Sequence, residues 1–539
     1  MASAIELRDI ADNGVESQRP QDQDAVYLTK TGKRPVLKRR FGTMSILGFS
    51  CIILGAWEGV YITLGFGLAN GGPAGLLWGF LIVWIGTLAT FTSLAELASM
   101  APTSGGQYHW VSILAPQSNQ KLFSYITGWL TVCGWQAAVA ASSYITGTLL
   151  QNLIELVDPS YNPKLWHGTL LFYGVVLTCI LFNTLLGTTL PKIESVLLII
   201  FILGFFATMI PLVCLAPHGN ASFVFTTFLN EGGWNSNGTS FFVGLAGNAF
   251  AFLGADSAYH MSEEIQNAAV VVPRVILLSI FINGLTGFAT FIAALFCIGD
   301  LNALLQTNFS YPFIEIFLQA TNSVPGTAIM VSIIIVAVAA LAIGSMASAS
   351  RQLWAFARDC GVPAWRLISR VDPKTSIPTS AIVATTIFAF LLGLISIGSP
   401  VAFNDVISLT LASLYASYLI ACGLLLWRRC SGSIKTLAEL SSSDHRYKNT
   451  NLPGSAGQLV WGPFRVPGVR GILVNAFACA YLIMILIFAY WPSFVPVTPA
   501  MMNYSSLVTG CVAIFATFYY VIWGHRTYKG PVIDVDTAT

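Results

Sequence analysis

The sequence predicts an all-α membrane protein with 12 transmembrane helices, and three observations predict it. Charged residues make up only 9% of the 539-residue chain, against roughly 25% in a soluble domain, too few to cover a water-facing surface of this size. The apolar residues gather in blocks of about 20, the length a helix needs to cross the hydrocarbon. The basic residues sort to alternate connections between those blocks, as the positive-inside rule requires of a correct span count.

The spans are expected near 44–69, 73–98, 122–148, 166–186, 192–215, 239–260, 274–299, 313–347, 378–397, 403–426, 471–491 and 503–524. An even number puts both tails on one side, taken as the cytoplasm. On that assignment the N-terminal tail holds 8 Lys or Arg, the cytoplasmic loops hold 1, 1, 1, 5 and 7, and the C-terminal tail holds 2. Only Lys164 among the 26 basic residues falls on the other side. The Asn-x-Ser/Thr acceptors Asn220, Asn237, Asn308 and Asn503 all fall in external segments, which agrees with the same orientation. The chain thus divides into a cytosolic tail 1–43, a membrane core 44–426, a cytosolic loop 427–470, two further spans in 471–524 and a cytosolic tail 525–539. The first 43 residues contain no apolar core, so no cleavable signal peptide is expected and the first span directs insertion.

Several function classes lack their signatures. A net charge of +2 implies no attraction to nucleic acid. The ten cysteines are scattered without a C-x-x-C pair, the six histidines are dispersed, and no cofactor or metal is expected. No G-x-x-x-x-G-K-[ST] marks an ATP-driven pump, and neither H-E-x-x-H nor G-x-S-x-G marks an enzyme.

Two spans carry interruptions at matching positions. The first contains Gly55-Ala56-Trp57-Glu58-Gly59 and the sixth contains Phe252-Leu253-Gly254-Ala255-Asp256-Ser257. Each opens a set of five spans. Glycine is a poor helix former, and a carboxylate at membrane depth is costly. Paired breaks of this kind point to discontinuous helices around a central site, as in transporters built from inverted repeats. The alternative for either glycine cluster alone is close helix packing.

The sequence also resembles the amino acid–polyamine–organocation superfamily, and within it the fungal amino acid/choline transporter family. Four ordered segments carry the resemblance: Ser93–Tyr108; Phe252 to Arg274 with Glu263-Glu264; Ser350–Asp359 followed by Gly361-Val362-Pro363; and Gly462-Pro463-Phe464-Arg465-Val466-Pro467. The resemblance implies a LeuT-like fold of two inverted five-helix repeats plus two extra helices. It implies a substrate site between helices 1, 3, 6, 8 and 10, and secondary active uptake of an amino acid or small amine such as GABA, or of choline or a polyamine, coupled to protons. In two places the chain departs from relatives. Trp57 and Glu58 interrupt the small-residue run that holds a substrate carboxylate in many carriers. The coupling lysine that some relatives have inside helix 5 is absent, since only Lys192 stands at the start of that helix.

Glu58 is the most informative candidate. An ionised acid at the bilayer centre costs at least about 2.5 kcal/mol and needs a cation, a proton or a polar cavity. Three roles follow: partner of a substrate ammonium, a protonated acid bonded to a neighbouring helix, or a proton carrier. Trp57, Tyr61, Phe252 and Tyr259 are candidates for cation–π contacts to the same ammonium. Gly55, Ala56, Gly59, Gly254 and Ala255 supply unwound backbone. Asp256 either caps the break or meets substrate. Glu96 and Glu194, near helix ends, are solvated or pair at a gate. Gly105, Gly106 and Tyr108 form an internal gate or a plain turn. Ser345 and Ser348 mark an ion site beside helix 1 or ordinary small-residue packing. The rival classes are a membrane nutrient sensor and a channel, against which the short tails and the lack of a filter motif argue. The plasma membrane is favoured over the vacuole.

Overall fold

The computed structural model describes residues 33, 36–398, 400–436, 439, 459–499 and 502–531, with backbone alone at 302, 305, 400–402, 404 and 405. Most of the N-terminal tail with the expected absence of a signal peptide, the middle of the 427–470 loop and the end of the C-terminal tail lie outside the described residues. The described chain is helical apart from one two-residue parallel strand pair, β1 (Ile434–Lys435) with β2 (Leu459–Val460).

The helices follow the expected spans in order: α1 (Thr43–Leu54) and α2 (Ala56–Ala69), α3 (Gly72–Met100), α4 (Gln107–Leu114), α5 (Gln120–Val157), α6 (Leu165–Thr184), α7 (Leu190–Leu215), α8 (Ala221–Thr226), α9 (Asn237–Phe250), α10 (Ser257–His260), α11 (Ala268–Phe296), α12 (Leu301–Leu305), α13 (Phe313–Thr321), α14 (Val324–Arg358), α15 (Trp365–Ile368), α16 (Thr379–Gly398), α17 (Pro400–Cys430), α18 (Gly468–Ala489) and α19 (Ser505–Tyr519). Among the described residues ten helical segments are long and apolar enough to cross a membrane. The expected third span lies in α5, whose 38 residues reach about 57 Å at 1.5 Å per residue but which is too polar to count among the ten. The expected sixth span divides into α9 and α10. Large apolar side chains such as Ile85, Leu203, Leu285, Ile329, Leu391 and Ile514 stand exposed on the outer helices, the surface that lipid requires and water would not tolerate.

One boundary differs from expectation. The eighth apolar block, 313–347, is two helices, and the long one is α14. Asn322 closes α13 in the left-handed conformation (φ 47°), the Ser323 hydroxyl accepts from the Gly326 N–H at 3.3 Å, and Pro325 occupies the first turn of α14. Asn-Ser-x-Pro is a stop followed by a start, which an apolar window averages away.

The first break sits at Gly55, whose φ of 50° and ψ of 40° favour a residue without Cβ. Its N–H closes α1 on the Cys51 carbonyl at 3.0 Å. Asn283 of α11 spans the break, meeting the freed Ala56 N–H and adding a second donor to the Cys51 carbonyl. Its Oδ1 accepts from the Ala56 N–H at 2.8 Å, and its Nδ2 donates to the Cys51 carbonyl at 3.2 Å. The second break runs through 251–256 as turns, with Gly254 at φ 87°. A Cβ at Gly254 would stand 2.7 Å from Ile53 Cγ2, and one at Gly59 would stand 3.2 Å from Ala251 Cα. The two breaks therefore lie against each other, which explains the small residues in both.

Replacing Asn283 with Ala leaves the Ala56 N–H buried without that partner, at roughly 1–3 kcal/mol, while the Cys51 carbonyl keeps the Gly55 N–H. A thermal melt of the purified N283A protein in detergent is expected to fall below that of the parent. An unchanged melting temperature contradicts the clamp.

Candidate functional site

Where the breaks meet, a cavity of about 70 Å³ is enclosed by α1, α2, α5, α9, the 251–256 turns, α14 and α17. A single water needs roughly 10–15 Å³, so the space takes more than one water, or a small solute in their place. Glu58 lies on its wall in the first turn of α2. Both of its carboxylate oxygens are buried, and neither meets a hydrogen-bond donor from a neighbouring side chain among the described residues. The rest of the wall is apolar or hydroxylated. Trp135 and Phe250 supply aromatic surface, Ser142, Ser345 and Thr410 supply hydroxyls, and no Lys, Arg or His lines it.

The candidates divide by position. Gly55, Glu58, Gly59, Gly254 and Ser345 line the cavity. Ala56 is behind the wall, with its N–H held by Asn283. The expected aromatic cage does not form around the cavity, because its members pack elsewhere. Trp57 stacks edge-on to Phe205 and tilts on Phe201 of α7. Tyr61 packs on Phe313 and Phe317 of α13. Phe252 faces Phe80 of α3, and Tyr259 lies between Phe91 and Trp110. Ala255 and Asp256 are buried and off the wall. Asp256 Oδ2 accepts from Gln107 Nε2 at 2.8 Å and from Trp135 Nε1 at 3.1 Å. Its side chain makes no cap bond to α10. Ser348 donates to the Ser257 carbonyl at 3.3 Å.

At one end the cavity meets a larger space of about 310 Å³, and Ile62, Ile145 and Phe250 border both. At the other end the protein is shut by paired charges. Arg358 grips Glu263 with two bonds of 2.8 and 3.0 Å, and Arg351 Nε donates to Glu264 at 2.8 Å. Lys33 pairs with Asp359, which also accepts from the Tyr108 hydroxyl at 2.8 Å. Arg429 pairs with Glu96, and Glu96 accepts from the Val466 N–H at 2.6 Å. The Phe464 N–H donates to Ser99 Oγ at 2.9 Å. The four motif segments are thus brought onto one face: the end of α3, the Glu263-Glu264 turn, the end of α14 and the stretch before α18. Gly105 and Gly106 form the hairpin under this face, and a Cβ on Gly105 would press on the Tyr108 ring at 2.8 Å. Glu194, the other acid placed near a helix end, is buried in α7 rather than solvated.

Sequence reasoning missed Asn283, Trp135, Phe250 and the Asp256 partners Gln107 and His260. An asparagine inside the apolar seventh span was a usable signal. The aromatic residues carried none, since only the three-dimensional path of α5 and α9 brings them to the wall.

The profile of the amino acid permease family matches residues 44–514. The chain belongs to that family. It is 32% identical over 462 residues to a protein of Macrophomina phaseolina named as an amino acid/polyamine transporter, covering 86% of this chain and 97% of the relative. It is 30% identical over 496 residues to the choline transporter of Saccharomyces cerevisiae, covering 91% and 83%. It is 26% identical over 521 residues to the GABA-specific permease of the same yeast, covering 95% and 86%. The permease is an integral, multi-pass membrane protein of the LeuT-like class.

If the small cavity holds the transported solute, filling it removes transport. Ala141→Leu replaces a methyl on the wall with an isobutyl group. Uptake per folded molecule is expected to drop at least about ten-fold, equivalent to 1.4 kcal/mol, while surface expression stays at the parent level. Parental uptake by A141L would place the solute elsewhere.

Proposed function

We propose that this permease accumulates a small organic amine by alternating access, with the substrate ammonium held by Glu58. The observation that carries the reading is the Glu58 carboxylate, buried on the cavity wall and unmatched by any side-chain donor. A charge in that position is costly until a cation arrives. Trp135 and Phe250 line the same space and offer ring faces for a cation, worth roughly 0.5–2 kcal/mol each.

A neutral α-amino acid suits the site less well. Its carboxylate, close to its ammonium, would enter beside Glu58 and be repelled. No cationic side chain on the wall offsets this. The Ala56 N–H at the break is already bonded to Asn283. A GABA-like compound keeps its two charges apart and can turn its carboxylate toward the Ser345 hydroxyl. Choline, or another quaternary amine or polyamine, is the second reading, favoured by that same absence of a cationic side chain. Alternating access then requires the paired-charge face, read as cytoplasmic, to open while the Ile62–Ile145–Phe250 border closes. Twelve spans, cytoplasmic termini, a plasma-membrane location and proton-driven uptake complete the proposal.

Uptake by a transport-deficient yeast strain expressing the permease is the test. Labelled GABA and labelled choline are each supplied, with unlabelled GABA, choline, polyamines and α-amino acids as competitors. Amines are expected to compete and neutral α-amino acids to compete at least about ten-fold more weakly. Glu58→Gln is expected to abolish accumulation at normal surface expression. Preferred competition by neutral α-amino acids, or full uptake by E58Q, overturns the assignment.

A further inference from the structure

We propose that Asp256 and His260 form a proton-binding dyad that couples the proton to closure of the charged face. This rests on the proton-driven reading above and names the groups that hold the proton.

Both side chains are fully buried, one helical turn apart. Nδ1 of His260 lies 3.1 Å from the Ser104 carbonyl, and Nε2 lies 3.2 Å from Asp256 Oδ2. A carbonyl oxygen only accepts, so Nδ1 carries a hydrogen. Asp256 Oδ2 already accepts from Gln107 Nε2 and Trp135 Nε1. Nε2 and Oδ2 at 3.2 Å would oppose two lone pairs unless one hydrogen lies between them, on either atom. In this state the Asp256–His260 pair holds that shared hydrogen and is neutral overall. The hydrogen-bond pattern alone requires one proton beyond those of a neutral imidazole and a carboxylate.

Removing that proton undoes a latch. Loss from Nδ1 breaks the bond to the Ser104 carbonyl. Loss from between Nε2 and Oδ2 leaves a buried carboxylate facing a nitrogen lone pair. Ser104 belongs to the 101–106 hairpin beneath the charged face, and its N–H also donates to Glu263 Oε1 at 3.2 Å. Glu263 in turn is held by Arg358. On its other side the dyad reaches the cavity through Trp135, which lines the wall that carries Glu58. The dyad therefore stands between the solute space and the closed face.

Other groups face the pair from each element packed against it. Tyr418 of α17 and the neighbouring Tyr259 face Asp256, and Phe91 of α3 and Trp110 of α4 cover Tyr259. From α14, Ser348 meets the Ser257 carbonyl, while Arg351 and Arg358 are bonded to Glu264 and Glu263. From α1, Ile53 abuts Gly254. The step is a bare proton transfer. The deprotonated pair takes H⁺ from water on the side of the larger space and returns it to water on the other side once the charged face opens. Binding the proton more tightly in the closed state is what links the two gradients.

Purified full-length protein in liposomes, assayed with labelled GABA and with labelled choline, tests this. The parent is expected to accumulate amine when the outside is acidic. His260→Gln is expected to lose gradient-driven accumulation at least about ten-fold, yet still exchange labelled for unlabelled amine at equal pH. Glu58→Gln is expected to lose both. Parental accumulation and pH dependence in H260Q overturn the dyad. Loss of exchange along with accumulation in folded H260Q moves His260 into substrate binding and also overturns it. Should H260Q fail to fold, Asp256→Asn is read by the same criteria. If the parent ignores the pH gradient, proton coupling and the dyad fall together, while exchange and its loss in E58Q still support the amine site.

Discussion

Interrupting a helix at membrane depth frees N–H and C=O groups that hydrocarbon cannot solvate. Everything at the centre of this permease depends on how that debt is met. At Gly55 one side chain spans the gap: Asn283 accepts from the freed Ala56 N–H and adds a second donor to the Cys51 carbonyl. The clamp lets α1 and α2 part without unravelling and fixes the first turn of α2, where Glu58 sits. The second break needs no matching side chain at Gly254, since a run of turns carries the chain across. The two breaks touch through glycine and alanine, and a residue with a longer side chain at either would force them apart.

Charge is distributed to match. On one face four acidic residues, Glu96, Glu263, Glu264 and Asp359, each have a basic partner. Such buried pairs add little net stability against apolar packing, but breaking one exposes an uncompensated charge. That makes them suited to a face that must be either fully shut or fully hydrated. The cavity is the opposite case, a lone carboxylate among apolar and hydroxyl groups. The asymmetry between a satisfied face and an unsatisfied cavity gives an arriving cation somewhere to act.

Much of the fold was legible because the bilayer imposes a length and the ribosome's product obeys a charge rule. Block length gave the helices, and glycine with an acid gave both interruptions. What escaped was local or non-local in a specific way. The end of α13 was written in Asn322, Ser323 and Pro325, but a hydropathy window blurs four residues into their neighbours. Trp57, Tyr61, Phe252 and Tyr259 were expected at the cavity from closeness in sequence to the breaks. A helix turns 100° per residue, so neighbours of Glu58 and Gly254 face other helices. Trp135 and Phe250 take the wall instead. Glu96 near a helix end was readable as a gate residue, whereas its partner Arg429 lies 333 positions away and only the fold joins them.

The claim on which the rest turns is that a hydrated space at the breaks carries negative charge from Glu58. Ser142→Cys puts a thiol on the same wall with almost no change in shape. The rate at which a trimethylammonium-bearing methanethiosulfonate labels it is measured against a neutral analogue, with the parent chain as background. The account predicts faster labelling by the cation, protection by transported amine, and loss of the cation's advantage when Glu58→Gln is added. A thiol that neither reagent reaches, or a cation preference untouched by E58Q, would contradict it.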